Sequence, residues 1–135
     1  MTDANTRGEV TVMLDGAEHV MRPSYEAIEA IEEKTNTGIT ALLHSLADGT
    51  MKKRTLAIIV TELVRAWGRA AGKNPDPIQR DAAGANPSRV GELIYEAGQT
   101  AIMNRCAIVL LGALNGGVTA SGEWKPVATE THAAG

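Results

Sequence analysis

Aromatic residues are scarce in this chain of 135 residues, which contains no Phe, two Trp and two Tyr. Its core must be built mainly from aliphatic side chains, and a platform that stacks single-stranded nucleic acid on aromatic rings is disfavoured. A single cysteine excludes an intramolecular disulfide and a zinc site with several cysteines. The net charge of −3 has the opposite sign from a phosphate-binding surface. We therefore expect no nucleic-acid partner.

Long apolar runs are also missing. No run reaches the roughly 18 apolar residues of a membrane span, and the first residues lack the charged-then-apolar layout of a signal peptide. The hydrophobic content of 44% is typical of a globular domain. These features predict a cytoplasmic protein with no membrane partner.

The N-terminal region predicts a β-hairpin. Asp15-Gly16 lies between two alternating segments, and this dipeptide favours a two-residue type I′ turn. The resulting register places Val10, Val12, Leu14, Ala17, His19 and Met21 on one face. On the opposite face Glu9 and Arg22 form a predicted charge pair.

Helical periodicity follows. Ser24 is the predicted N-cap of a first helix, and the run Thr35–Gly38 is predicted to stop it, with Gly38 as a left-handed cap. A second helix covers about Ile39 to Ala47. A third helix, capped by Thr50 and ending near Ala71, has a clear amphipathic pattern. It is predicted to bury four residues in the core: Leu56, Ile59, Leu63 and Trp67.

The C-terminal half predicts one long loop, one long helix and a tail. The prolines between Lys73 and Ser88 indicate a surface loop. A fourth helix runs from about Pro87 to Leu114, and residues 117–135 are predicted to be a disordered, flexible tail. The fold class is thus α+β, mainly α, with a hairpin on about four helices in a single domain over residues 1–116.

The chain shows no pattern that predicts catalysis, a cofactor or a metal. No two of His19, His44 and His132 have metal-ligand spacing, and Cys106 lies in an apolar helix, where a free cysteine usually packs as a small hydrophobe. We therefore predict no catalytic residue, no cofactor and no metal ligand in this chain.

Two features favour protein binding instead. The fourth helix is apolar over more than one stripe, which indicates either a central core helix or a helix covered by a partner. A Trp stands two residues before a Pro in an otherwise bland tail. The candidate partner-binding residues are Met103, Ile108, Leu110, Leu111, Trp124 and Pro126.

The order of short motifs resembles a phage tail protein family found in gene transfer agents and related phages, encoded between the tail tube and tape-measure proteins. The resemblance begins with Arg-Gly-Glu-Val and Leu-Asp-Gly and extends over about residues 7–117. The blocks that carry it are Arg7–Val10, Leu14–Gly16, Arg22–Glu32, Thr35–Ile39, Thr55–Ile59, Val90–Gly98 and Leu110–Gly117.

This resemblance implies a tail assembly chaperone that is not an enzyme. Such a protein binds the tape-measure protein, the tail tube protein or both reversibly during tail assembly in the cytoplasm of the bacterial host, and it can self-associate. One alternative is a structural tail tube component that is retained in the virion tail. A second alternative, from another class, is a small enzyme whose site the sequence does not reveal.

Overall fold

The computed structural model describes residues 9–126. The chain begins with β1 (Val10–Leu14) and β2 (Ala17–Met21), which pair antiparallel. Asp15 and Gly16 have φ angles of 55° and 77°, as a type I′ turn requires at both central positions. The predicted two-residue loop is confirmed, with Val10 opposite Met21, Val12 opposite His19 and Leu14 opposite Ala17.

The predicted faces of the hairpin are confirmed as well. Val12, Leu14 and Met21 are buried, whereas Met13 is 56% exposed. The predicted charge pair between Glu9 and Arg22 is wrong for a simple reason: the Arg22 guanidinium turns away and its Nε donates to the Ser121 carbonyl at 2.7 Å.

Six helices follow the hairpin within the described residues. They are α1 (Tyr25–Thr35), α2 (Ile39–Asp48), α3 (Lys53–Ala70), α4 (Pro77–Ala83), α5 (Pro87–Ala97) and α6 (Gln99–Leu114). The predicted class, an N-terminal hairpin packed on helices, is confirmed with more helices than predicted.

The centre of the fold is α3, which packs against α1, α4, α5 and β2. Leu56, Ile59 and Leu63 are almost completely buried, as predicted. Trp67 differs from the prediction because it is only half-buried, and its ring meets the His19 ring edge-on with centroids 5.8 Å apart. The hairpin therefore rests on the central helix through an aromatic contact.

Two predicted helix caps are wrong. The first helix ends at Thr35, inside the predicted run, but its left-handed cap is Asn36 with a φ of 53°, whereas Gly38 is extended and precedes α2. Asparagine tolerates this conformation better than most residues. The third helix starts after Lys52 rather than at Thr50, and it has no side-chain cap.

The predicted surface loop between Lys73 and Ser88 is wrong, because it contains α4. The Asp76 side chain accepts a hydrogen bond from the Gln79 amide at 2.8 Å, and the Gln79 side chain accepts one from the Asp76 amide at 3.0 Å. This reciprocal capping box stabilises the first turn, and Pro77 fits the first helical position.

The predicted fourth helix is wrong as a continuous element. It is divided at Gly98 into α5 and α6, with an angle of 119° between them. The bend allows α5 to pack on α3 while α6 packs mainly on α2 and β1. No single described helix is long and apolar enough to cross a membrane, although this bent pair would pass by length and composition if it were taken together.

The chain after α6 differs from the predicted flexible segment over residues 117–126. An antiparallel bridge joins Val118 to Trp124, and the Tyr25 amide donates to the Ala120 carbonyl at 2.8 Å. The rest of the predicted tail, residues 127–135, lies outside the described residues.

Candidate interaction surface

The two sides of α6 have different environments. Ile102, Cys106 and Val109 face the core and are at most 5% exposed. On the outer side Ile108, Leu111 and Leu114 are 57%, 50% and 45% exposed. We call these three outer residues the α6 stripe. Apolar residues three apart on an exposed helix face form a surface that another helix can cover.

The structure separates the predicted binding residues of this helix into two groups. Met103 and Leu110 are 8% and 0% exposed and belong to the core. Their apolar character is therefore explained by the packing of α6 within its own domain. Ile108 and Leu111 lie at the surface and are joined there by Leu114, which the sequence-based prediction omitted.

The other two predicted binding residues lie in the segment after α6. Trp124 is half-buried and packs against the core, whereas Pro126 is exposed. The Trp124 ring lies directly over Gly112 and leaves no space there for a Cβ atom. Its indole Nε1 is buried without a hydrogen-bond partner among the described residues. Much of the apolar surface of this Trp is therefore buried within its own domain.

A small groove of about 190 Å³ borders the same end of α6. Its wall includes Tyr25, a side chain that is 65% exposed. The apolar part of the lining comes from α1, α2, α6 and the following segment, and it includes Ile28, Ile39, Ala113 and Val118. Exposed apolar area at this end of the domain thus comes from more than one element.

A second exposed aromatic residue was not predicted as a binding residue. Tyr95 of α5 is 70% exposed, and the Lys53 ammonium lies 6.0 Å from its ring centroid. Both residues line an open groove of about 600 Å³ between α3 and α5. The sequence signal for this exposed residue is weak, because Tyr95 lies only about 100° around the helix from the buried Ile94.

The buried carboxylate of Glu62 has a structural role rather than a reactive one. The carboxylate of Glu62 is 3% exposed and accepts from Lys34 Nζ at 2.6 Å and from an Arg65 Nη at 3.2 Å. Lys34 lies on α1 and Glu62 on α3, so the ion pair connects these helices. A buried carboxylate that is paired and hydrogen-bonded is stable without a catalytic role.

The cysteine and histidine environments do not assemble a catalytic or metal site within residues 9–126. Burial raises the pKa of the Cys106 thiol to about 12, so the nucleophilic thiolate is scarce at neutral pH. His19 Nδ1 lies 3.0 Å from the Ala17 carbonyl within its own hairpin. No group of three possible metal ligands is found in the described part of the chain.

A comparison with protein families finds a match to the family described as phage tail tube protein, GTA-gp10, over residues 7–97. The match starts where the sequence resemblance starts and ends with the last residue of α5. Neither the curated proteins nor the solved structures contain a match to this chain. The α6 stripe therefore lies outside the matched region.

Proposed function

The chain belongs to the phage tail tube protein family of the gene-transfer-agent type, and we propose that within tail assembly it acts as a chaperone for other tail proteins. Its clients in this proposal are the tape-measure protein and the tail tube protein. It works in the cytoplasm of the bacterial host and performs no catalysis. The role in the phage tail rests on membership of the family. The architecture favours a chaperone over a tube subunit.

The observation that carries this choice is the small amount of β-structure. Two strands of five residues form one hairpin, while the rest of the core in residues 9–126 is helical. A subunit that builds a tube from continuous β-sheet would need long strands with pairing edges on both sides. A helical domain with exposed apolar residues is better suited to transient contacts with helices.

The α6 stripe supplies the proposed client contact. A long helical client buries its apolar face best against another exposed apolar helix face. Only three side chains contribute in each copy, so each single contact is weak. Many copies along a long client would nevertheless hold together through multivalency and remain displaceable when tube subunits assemble.

The composition of finished tails tests the chaperone against the tube subunit. Purified tails are analysed by quantitative mass spectrometry, with the tape-measure protein as the internal reference. A chaperone should be depleted from finished tails and abundant in lysates arrested before tube assembly. A copy number in finished tails equal to that of the major tube protein would instead establish the structural alternative.

A further inference from the structure

Gly98 is the single residue between α5 and α6. The buried side chains of α5 are Val90 and Ile94, and those of α6 include Ile102, Cys106 and Leu110. Each step of four residues turns by about 40° around a straight helix, because one turn takes 3.6 residues. In one continuous helix the buried face of α6 would therefore point in a different direction from the buried face of α5.

The bend between α5 and α6 depends mainly on the backbone conformation of Gly98. Its φ is 97°, and no atom lies within 4 Å of the position that a Cβ would occupy. Its amide already donates to the Ile94 carbonyl at 2.9 Å, as in a continuing helix. The start of α6 has no side-chain cap, so the next three amides would gain carbonyl acceptors if the two helices became one.

The helix α6 packs mainly on α2 and β1 and has few contacts with α5. The segment that follows it bonds to Arg22 and Tyr25, so this segment must leave the domain together with α6. The hinge is solvated, because Glu96, Ala97 and Gly98 are all exposed. Straightening the hinge would carry α6 away from its own α2 and β1 and would expose the apolar side chains that it covers there.

We propose that α5 and α6 straighten at Gly98 into one helix and that α6 then occupies the same site in a second copy of this chain. Two copies exchange α6 and the segment that follows it reciprocally, and they form a dimer in which the core contacts of the monomer are restored between copies. Such an exchange is an inexpensive route to a dimer, since only the hinge differs between the two forms. The inference concerns the chain alone and does not depend on its having a client.

The direct test is Gly98→Ala. Alanine disfavours the positive φ of the bend and favours the continuous helix. We expect roughly a tenfold effect at each hinge and about a hundredfold decrease in the dissociation constant of the dimer. Light scattering with size-exclusion chromatography should show a dimer at concentrations at which the wild type is monomeric. A folded, monomeric Gly98→Ala protein would overturn the proposal.

Gly49→Ala is the matched control. Gly49 also has a positive φ, of 72°, and open space around it, but the connection there is four residues long, from Gly49 to Lys52, and cannot become one helix by the change of a single residue. This variant should lose some stability and stay monomeric. A dimer of Gly49→Ala equal to that of Gly98→Ala would show that general destabilisation, rather than the hinge, drives association, and would also overturn the proposal.

A thiol pair distinguishes an exchanged dimer from a surface dimer. Met21 Sδ lies 4.0 Å from Cys106 Sγ, and Cys106 is the only cysteine of the chain. Met21→Cys is folded in reducing buffer over a range of protein concentrations, with and without Gly98→Ala, and is oxidised only after folding, so that disulfides between unfolded chains do not contribute. Covalent dimers that increase with concentration, on either background, support exchange. Exclusively intramolecular disulfides at every concentration would contradict it, even if Gly98→Ala fails to fold.

Discussion

The six-membered ring of Trp124 packs directly over Gly112 of α6, at a distance that leaves no room for a Cβ atom. A glycine inside a helix normally costs about 1 kcal/mol relative to alanine, so this contact explains its presence there. The contact also fixes the segment that follows α6, whose Val118 bridges back to Trp124. The Trp is thus used as an internal anchor of the domain.

Gly112→Ala tests this contact in a double-mutant cycle. In the wild-type background the new methyl group displaces Trp124, and we expect a loss of about 1–3 kcal/mol in the free energy of unfolding. In a Trp124→Ala background the same change should stabilise the helix by up to about 1 kcal/mol. The cycle is measured by urea unfolding followed by circular dichroism. Equal effects in both backgrounds would show that the two residues do not interact.

Two leucines on helices provide a matched comparison of core and surface. Leu63 of α3 is 0% exposed, and Leu111 of the α6 stripe is 50% exposed. Leu63→Ala should lower the free energy of unfolding by about 2–5 kcal/mol, whereas Leu111→Ala should change it by no more than about 0.5 kcal/mol. If Leu111→Ala is as destabilising as Leu63→Ala, the stripe is part of the core and cannot be a client surface.

The hairpin register predicts that the same substitution at two neighbouring positions changes the stability by very different amounts. Val12 is 3% exposed and Met13 is 56% exposed. Val12→Lys buries an unpaired charge and should cost several kcal/mol, on the order of 3 or more. Met13→Lys should leave the melting temperature nearly unchanged. The reverse order would mean that the pairing is shifted by one residue, because such a shift exchanges the two faces.

The buried thiol predicts a pH dependence of stability. Burial raises the pKa of Cys106 from 9.0 to about 12. Below pH 9 the thiol is neutral in both states, whereas between pH 9 and 12 only the unfolded state ionises and is thereby favoured. The stability of the wild type relative to Cys106→Ala should therefore fall by roughly 2 kcal/mol between pH 8 and 10.5.

Denaturant unfolding of both proteins at these two pH values measures that difference. Other groups that titrate at alkaline pH are common to both proteins and cancel in the comparison. A constant difference between the wild type and Cys106→Ala would show that the thiol is accessible to water in the folded state.

The parts of the fold that the sequence predicts correctly are those fixed by local chemistry. Asp15-Gly16 determines the turn and hence the register of the hairpin, because few other dipeptides adopt two positive φ angles. The apolar spacing of α3 likewise identifies its buried face. Both features depend on residues close together in the chain.

The errors concern features that tertiary packing decides. Apolar residues continue on both sides of Gly98 with no proline between them, so composition alone does not reveal the bend that places α6 on α2 and β1. The helix α4 was predicted as a loop because of its prolines, although Asp76 and Gln79 have the spacing of a capping box. Burial of Met103 and Leu110 likewise depends on which face of α6 the other elements cover, and a helix that is apolar nearly all round does not indicate that face.

In the proposed function the α6 stripe keeps tape-measure segments soluble. This role is tested by the soluble yield of a helical tape-measure fragment from the same genome. The fragment is co-expressed with the wild type, with Ile108→Gln/Leu111→Gln or with the control Met13→Gln/Tyr95→Gln. All four positions are at least half exposed, so both variants should fold. We predict a higher yield with the wild type and the control, and loss of the increase with the stripe variant. An unchanged yield in the presence of the wild type would contradict the chaperone function, and an equal increase with all three proteins would contradict the role of the stripe.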